Sequence, residues 1–146
     1  MIPPFSAETG TLPAGEHAAT WAEIVESFGR TPRRRSLLDG LRAALESLRA
    51  AGCKRVYLDG SFVTAKEEPG DFDACWEADG VDGDLLDEAL LIFDAGRATQ
   101  KAKFGGELFV ADWPADETGT LFRKFFQQDR DGNIKGIIVI NLQELP

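Results

Sequence analysis

The chain has 146 residues, 43% of them hydrophobic and 28% charged, enough for one domain with a real core. Sixteen Lys and Arg against 25 Asp and Glu give a formal charge of −9, which argues against sequence-independent binding of DNA or RNA. A small nucleotide held through a divalent metal stays open, because the metal brings its own positive charge. No run of about 18 apolar residues exists, so no membrane partner is expected. Met1-Ile2-Pro3-Pro4 lacks the basic and apolar regions of a secretory signal. Cys53 and Cys75 lack metal-ligand spacing, so reduced thiols and a cytoplasmic location are expected.

Residues 1–19 carry Pro3, Pro4, Gly10, Pro13 and Gly15 and read as an extended N-terminal arm. Its apolar Ile2, Phe5 and Leu12 are expected to lie on the body, or to bind a protein partner or a second copy. Thr20-Trp21-Ala22-Glu23 is a capping box. Trp21, Ile24, Val25 and Phe28 then mark one helical face, which Gly29 ends. Thr31 is an N-cap with Pro32 at the first helical position. Leu37, Leu38, Leu41, Leu45 and Leu48 keep helical spacing as far as Ala51. Arg33-Arg34-Arg35 reads as a solvated first turn.

Strands are expected over residues 55–59, 71–77, 107–113 and 135–142. A short helix is expected at 62–66. Val81–Asp94 is read as helical, with Leu85, Leu86, Ala89, Leu90 and Phe93 inward. Lys101 and Lys103 are placed in an exposed loop. Leu121, Phe122, Phe125 and Phe126 mark a short helix, and Asp129–Asn133 a turn. The continuous apolar run Ile137–Ile140 suggests a last strand buried on both faces. Residues 20–146 form a single α/β (α+β) domain, with a mixed sheet of about four strands flanked by helices.

Chemistry concentrates in two places. Leu58-Asp59-Gly60-Ser61 ends an apolar run in a Gly-Ser turn, and Asp71-Phe72-Asp73 follows after nine intervening residues. Gly60 lets the backbone approach closely or take positive φ. Ser61 adds a hydroxyl, and free N–H groups at a helix start would favour a phosphate. Side chains alternate along a strand, so Asp71 and Asp73 share a face, while Phe72, Ala74 and Trp76 share the other. Two carboxylates so placed suit Mg²⁺ (or Mn²⁺), which prefers oxygen ligands and bridges carboxylates to substrate phosphates.

This pairing of Gly60-Ser61 with Asp71 and Asp73 resembles the signature of the DNA-polymerase-β-like nucleotidyltransferase superfamily. The resemblance spans roughly residues 36–113 and points to its small, single-domain members, some of them antitoxin-like. It implies a nucleotidyltransferase-like fold, Asp71 and Asp73 as catalytic metal ligands, and Gly60 and Ser61 as the phosphate turn. It also implies a third acid on a neighbouring strand. Glu107 and Asp112 both qualify; Glu107 is preferred because Gly105-Gly106 beside it leaves room for a ligand. Lys66, Arg97, Lys101 and Lys103 are the cations available for a triphosphate, with Lys66 the candidate nucleotide-binding residue. The implied activity is metal-dependent transfer of a nucleotidyl group from an NTP to an acceptor. The alternative is a protein-binding antitoxin or regulatory module that keeps the fold without catalysis.

Overall fold

Residues 2–146 are described by a computed structural model. Thr20 opens the first helix, α1 (Trp21–Phe28), as a complete capping box: its hydroxyl accepts from the Glu23 N–H while Glu23 accepts from the Thr20 N–H. Thr31 and Pro32 start α2 (Pro32–Ala50), whose leucine stripe is buried. Five strands are present among the described residues: β1 (Gly15–Ala18), β2 (Arg55–Asp59), β3 (Phe72–Trp76), β4 (Gly106–Val110) and β5 (Gly136–Asn141). They make one mixed sheet in the order β1-β5-β2-β3-β4. β1 and β5 run parallel, as do β3 and β4, while β2 is antiparallel to both of its neighbours.

The sheet therefore has five strands, one more than the sequence pattern suggests. The extra one lies in the N-terminal arm. Gly15 to Ala18 pair with Gly136 to Val139, so part of the arm is an edge of the sheet itself. The arm's apolar residues also pack on the body: Leu12 is buried, the Phe5 ring lies 6.0 Å from Phe28, and Ile2 rests against the core.

One sheet face carries Val56, Leu58, Phe72, Ala74, Trp76, Leu108, Ile138 and Ile140 beneath the helices α1, α2 and α3 (Ala98–Phe104). The opposite face has a smaller apolar centre: Tyr57, Cys75, Ala111 and Ile137, covered by Phe122 and Phe126 around α4 (Phe122–Phe125). The helix expected over 81–94 is absent. Two short 3₁₀ turns replace it, Gly83–Leu85 and Glu88–Leu91. Asp82 and Asp87 each accept a hydrogen bond from the backbone two residues on, which gives the chain a local alternative to the helical ladder. Leu85, expected inward, is 60% exposed.

Lys101 and Lys103 lie on α3 rather than in a loop. α3 crosses α2 at Gly40, where a Cβ would sit 1.8 Å from the Phe104 carbonyl oxygen. The buried Gln100 side chain accepts the Leu108 N–H at 2.8 Å and ties α3 to the outer edge of β4. No helix among the described residues is long and apolar enough to cross a membrane.

Candidate functional site

The sheet register builds the site. Asp59 on β2 pairs with Asp73 on β3, and Asp73 with Glu107 on β4. Directly paired residues share a face, so three carboxylates form one row across three adjacent strands. Asp71, just before β3, joins them. Asp71, Asp73 and Glu107 each offer an oxygen within 4.8 Å of the others. Opposite oxygens around Mg²⁺ stand about 4.2 Å apart at its usual bond lengths, so small side-chain adjustments would close this set on a cation. Asp112 lies in the turn beyond β4, exposed and outside the cluster.

The cluster carries strain in its charges. Asp73 is pushed up to about 7, first by burial and then by Asp71, Glu107 and Asp59. Asp59 is also raised by burial, against the pull of Lys135, which it pairs with. Lys101 sits over the acids from α3, with Nζ 2.9 Å from Glu107 and 3.7 Å from Asp71. Four carboxylates thus meet two ammonium groups.

The phosphate-type turn lies against this row. Gly60 has φ of 87°, and a Cβ there would fall 2.9 Å from Asp73 Oδ2, so only glycine lets the turn approach the carboxylate. Ser61 opens a single 3₁₀ turn, Ser61–Val63, in place of the longer helix expected there. Its hydroxyl has no partner among the described residues.

What holds the segment between turn and acids is an arginine clamp. Arg34 is fully buried, not solvated as its neighbours in sequence suggested. Its guanidinium donates to the carbonyls of Phe28, Phe62, Thr64 and Lys66, with Phe62 at 2.6 Å and Thr64 at 2.8 Å. Burial and the nearby Arg30 lower its pKa to about 10, still charged at neutral pH. Arg30 donates to the Ala65 carbonyl, Thr31 to Glu67, and Arg33 to Pro69 and Gly70. The start of α2 thereby fixes residues 62–70 and with them the distance from Ser61 to Asp71.

Two adjoining clefts, of about 520 Å³ and 510 Å³, share Ser61, Lys66 and Asp71 in their walls. The first adds Asp59, Gly60 and Asp73, with the loop around Asp129 opposite; the second adds Arg33 and Lys101. Gly60, Ser61, Lys66, Asp71 and Asp73 therefore face common space, and Glu107 meets it through the acid cluster. Gly105 lines the second cleft, but Gly106 has a different reason: a Cβ there would strike the Phe72 ring at 2.6 Å or less. Lys103 turns away to Asp87.

The family of unknown function DUF6932 matches residues 3–141. The chain belongs to this family. The match takes in all five strands and every clustered acid. No curated protein and no solved structure matches the chain. In this DUF6932 member, Asp59, Lys135 and Arg34 belong to the site region although the motif does not point to them. Strand alternation from Asp73's partner would have found Asp59. Lys135 reaches the acids only through the β2–β5 pairing, which has no local signal.

Proposed function

We propose that the protein is a metal-dependent nucleotidyltransferase with a nucleotidyltransferase-like fold, moving a nucleotidyl group from an NTP to an acceptor. One observation carries this: Asp71, Asp73 and Glu107 converge within 4.8 Å beside the Gly60-Ser61 turn. The donor set is all oxygen and fits Mg²⁺ or Mn²⁺. A divalent ion held there would polarise the phosphoryl oxygens and neutralise developing charge.

The chain's own residues would do the rest. Asp71 and Asp73 would hold the metal. The free Ser61 hydroxyl would donate to a phosphate oxygen that Gly60 lets come close, with Lys66 beside it in the cleft. Glu107 would orient the acceptor hydroxyl and accept its proton. Lys101, which balances Glu107 and Asp71 without metal, would be freed for the phosphates.

The test is thermal unfolding with Mn²⁺ or Mg²⁺ and each NTP at millimolar concentration, alongside transfer from an α-labelled NTP. A rise in Tm that needs both metal and nucleotide is expected from mass action, and Asp71→Ala with Asp73→Ala should abolish it while the fold persists. No rise with any NTP would overturn the reading in favour of a non-catalytic binding module.

A further inference from the structure

We propose that Arg97 is an oxyanion receptor beside the acid row, and that it binds a phosphate or carboxylate carried by the acceptor. Arg97 sits where the chain turns around the open edge of β4 into α3. Its guanidinium carbon lies 4.6 Å from the Phe93 ring centroid and 4.6 Å from that of Phe109. Phe122 stacks on Phe109 at 4.4 Å, and Trp113 meets Phe93 edge-on at 5.5 Å.

This cation has no hydrogen-bonded or ion-paired anion among the described residues, although Asp94 feels its charge at longer range. It donates no hydrogen bond and makes no ion pair among the described residues. Every other arginine except the exposed Arg130 donates at least one hydrogen bond. Its Nε is buried and unpartnered, a state that asks for an explanation. Asp94 is itself occupied by the Thr99 N–H and hydroxyl, the latter at 2.6 Å. Among the described residues Arg97 is also the single non-glycine with positive φ, at 51°. Strained backbone persists where surrounding structure holds it, often at ligand sites. Both rings lie within cation–π reach of the guanidinium, and its terminal nitrogens can bind an oxyanion as a fork.

The position gives the anion its role, and this step rests on the transfer reading. Phe109 follows Glu107 by two residues on the same strand face, about 7 Å along β4. Arg97 precedes α3 and Lys101 lies four residues on within it, over Phe109 and Glu107 respectively. Ser61 and Lys66 lie toward β2 and β3, on the other side of the acids. A nucleotide in that cleft leaves the Arg97 side for the second substrate. Half-exposed Trp113 and Phe93 offer ring surface next to the fork, so an oxyanion on an apolar or planar body fits best.

The probe is phenyl phosphate, titrated without metal and followed by NMR at the Arg97 Nε–H and Trp113 Nε1–H. Inorganic phosphate and benzoate form the comparison arms and separate phosphate from carboxylate. Saturable shifts at both positions are expected, with phenyl phosphate tighter than inorganic phosphate, and a loss of at least tenfold in Arg97→Gln. Arg97→Lys keeps the charge and should weaken binding several-fold through loss of the fork, and it serves if Arg97→Gln does not fold. Absence of saturation at millimolar probe, or equal binding by either variant, would overturn the proposal. Because no metal or NTP is present, such a failure is distinct from failure of the transfer reading. Binding of the probe with no metal-dependent NTP response would keep the receptor and remove only its assignment to an acceptor.

Discussion

The acid-bearing face of the sheet holds two charge clusters with opposite bookkeeping. At one end, Glu16 receives the Arg123 guanidinium through two hydrogen bonds of 2.7 Å and 2.8 Å, and Glu77 accepts from the Tyr57 hydroxyl and from Arg55. Arg123 also lies 4.6 Å over the Tyr57 ring. Two carboxylates there meet two guanidinium groups. Glu16 is held below the usual carboxylate range chiefly by Arg123. For Glu77 burial works upward, but the bonds from Tyr57 and Arg55 together outweigh it. At the other end, Asp59, Asp71, Asp73 and Glu107 pair among the described residues with Lys101 and Lys135 alone, and Asp73 is driven up. A cluster that satisfies itself is a structural device. One whose central carboxylate is driven up is the kind that the proposed metal would relieve.

The comparison can be broken most directly at its cations. Lys135→Met should cost roughly 3–5 kcal/mol in denaturant unfolding without metal, because it strands a buried carboxylate on Asp59. Arg55→Met in the balanced cluster should cost far less, since that side chain is 55% exposed. Equal losses would show that the two clusters do not differ in kind.

The pH dependence separates them next. The folded Asp73 holds a proton up to about pH 7 that the unfolded chain releases near 3.8. Its contribution to stability is therefore present at low pH and lost as pH rises through about 7. Metal-free protein should lose roughly 2–4 kcal/mol between pH 5 and pH 8 on this account. Asp73→Asn should flatten the loss, and Mn²⁺ at pH 8 should reverse it in the parent protein only. Glu16 and Glu77 run the other way: their lowered values give stability above the ordinary glutamate range that disappears as pH falls through the folded values.

Smaller effects sharpen the picture. Tyr57→Phe removes one hydrogen bond to Glu77 and should cost about 1 kcal/mol, read by chemical denaturation. Lys101→Ala should barely move stability, because the lysine itself is exposed. It should tighten Mn²⁺ binding severalfold by calorimetry, as the ion no longer displaces an ammonium, while weakening nucleotide. Looser metal binding in that variant would show that Lys101 supports the acids rather than competing for them.

Local rules made part of this molecule legible. The capping box at Thr20, the Thr31-Pro32 start, the leucine stripe of α2 and the Asp71/Asp73 alternation are all fixed by residues within a turn or two of one another. Glu107 was preferred over Asp112 for the room that Gly105-Gly106 would leave, whereas what brings it to the acids is its pairing with Asp73 across β3 and β4. The failures share a cause. β1 is short, half-buried and made by pairing with residues at the far end of the chain, so its own letters carry little β pattern. Arg34 looks like a solvated charge until the carbonyls of residues 62–66 arrive to receive it. Over 81–94, leucine spacing suggested a helix, but Asp82 and Asp87 turned the backbone on themselves. In α3, Gln100 and Phe104 find their partners only in β4 and α2.

The pairing of β1 with β5 has a consequence for how the chain reaches this state. Gly15 meets Gly136, a separation of 136 − 15 = 121 residues, and β5 also borders β2. Until β5 is available, β1 has no ladder to join and one flank of β2 is open. Contacts of such long range slow folding and leave a sticky strand edge uncovered meanwhile. The helices and the β2–β3 hairpin-like pair can form early from nearby residues, whereas the sheet can close only when its last strand inserts between its first two. A nascent chain stalled before Gly136 would present β2 to its neighbours, and aggregation rather than slow docking would be its characteristic fate.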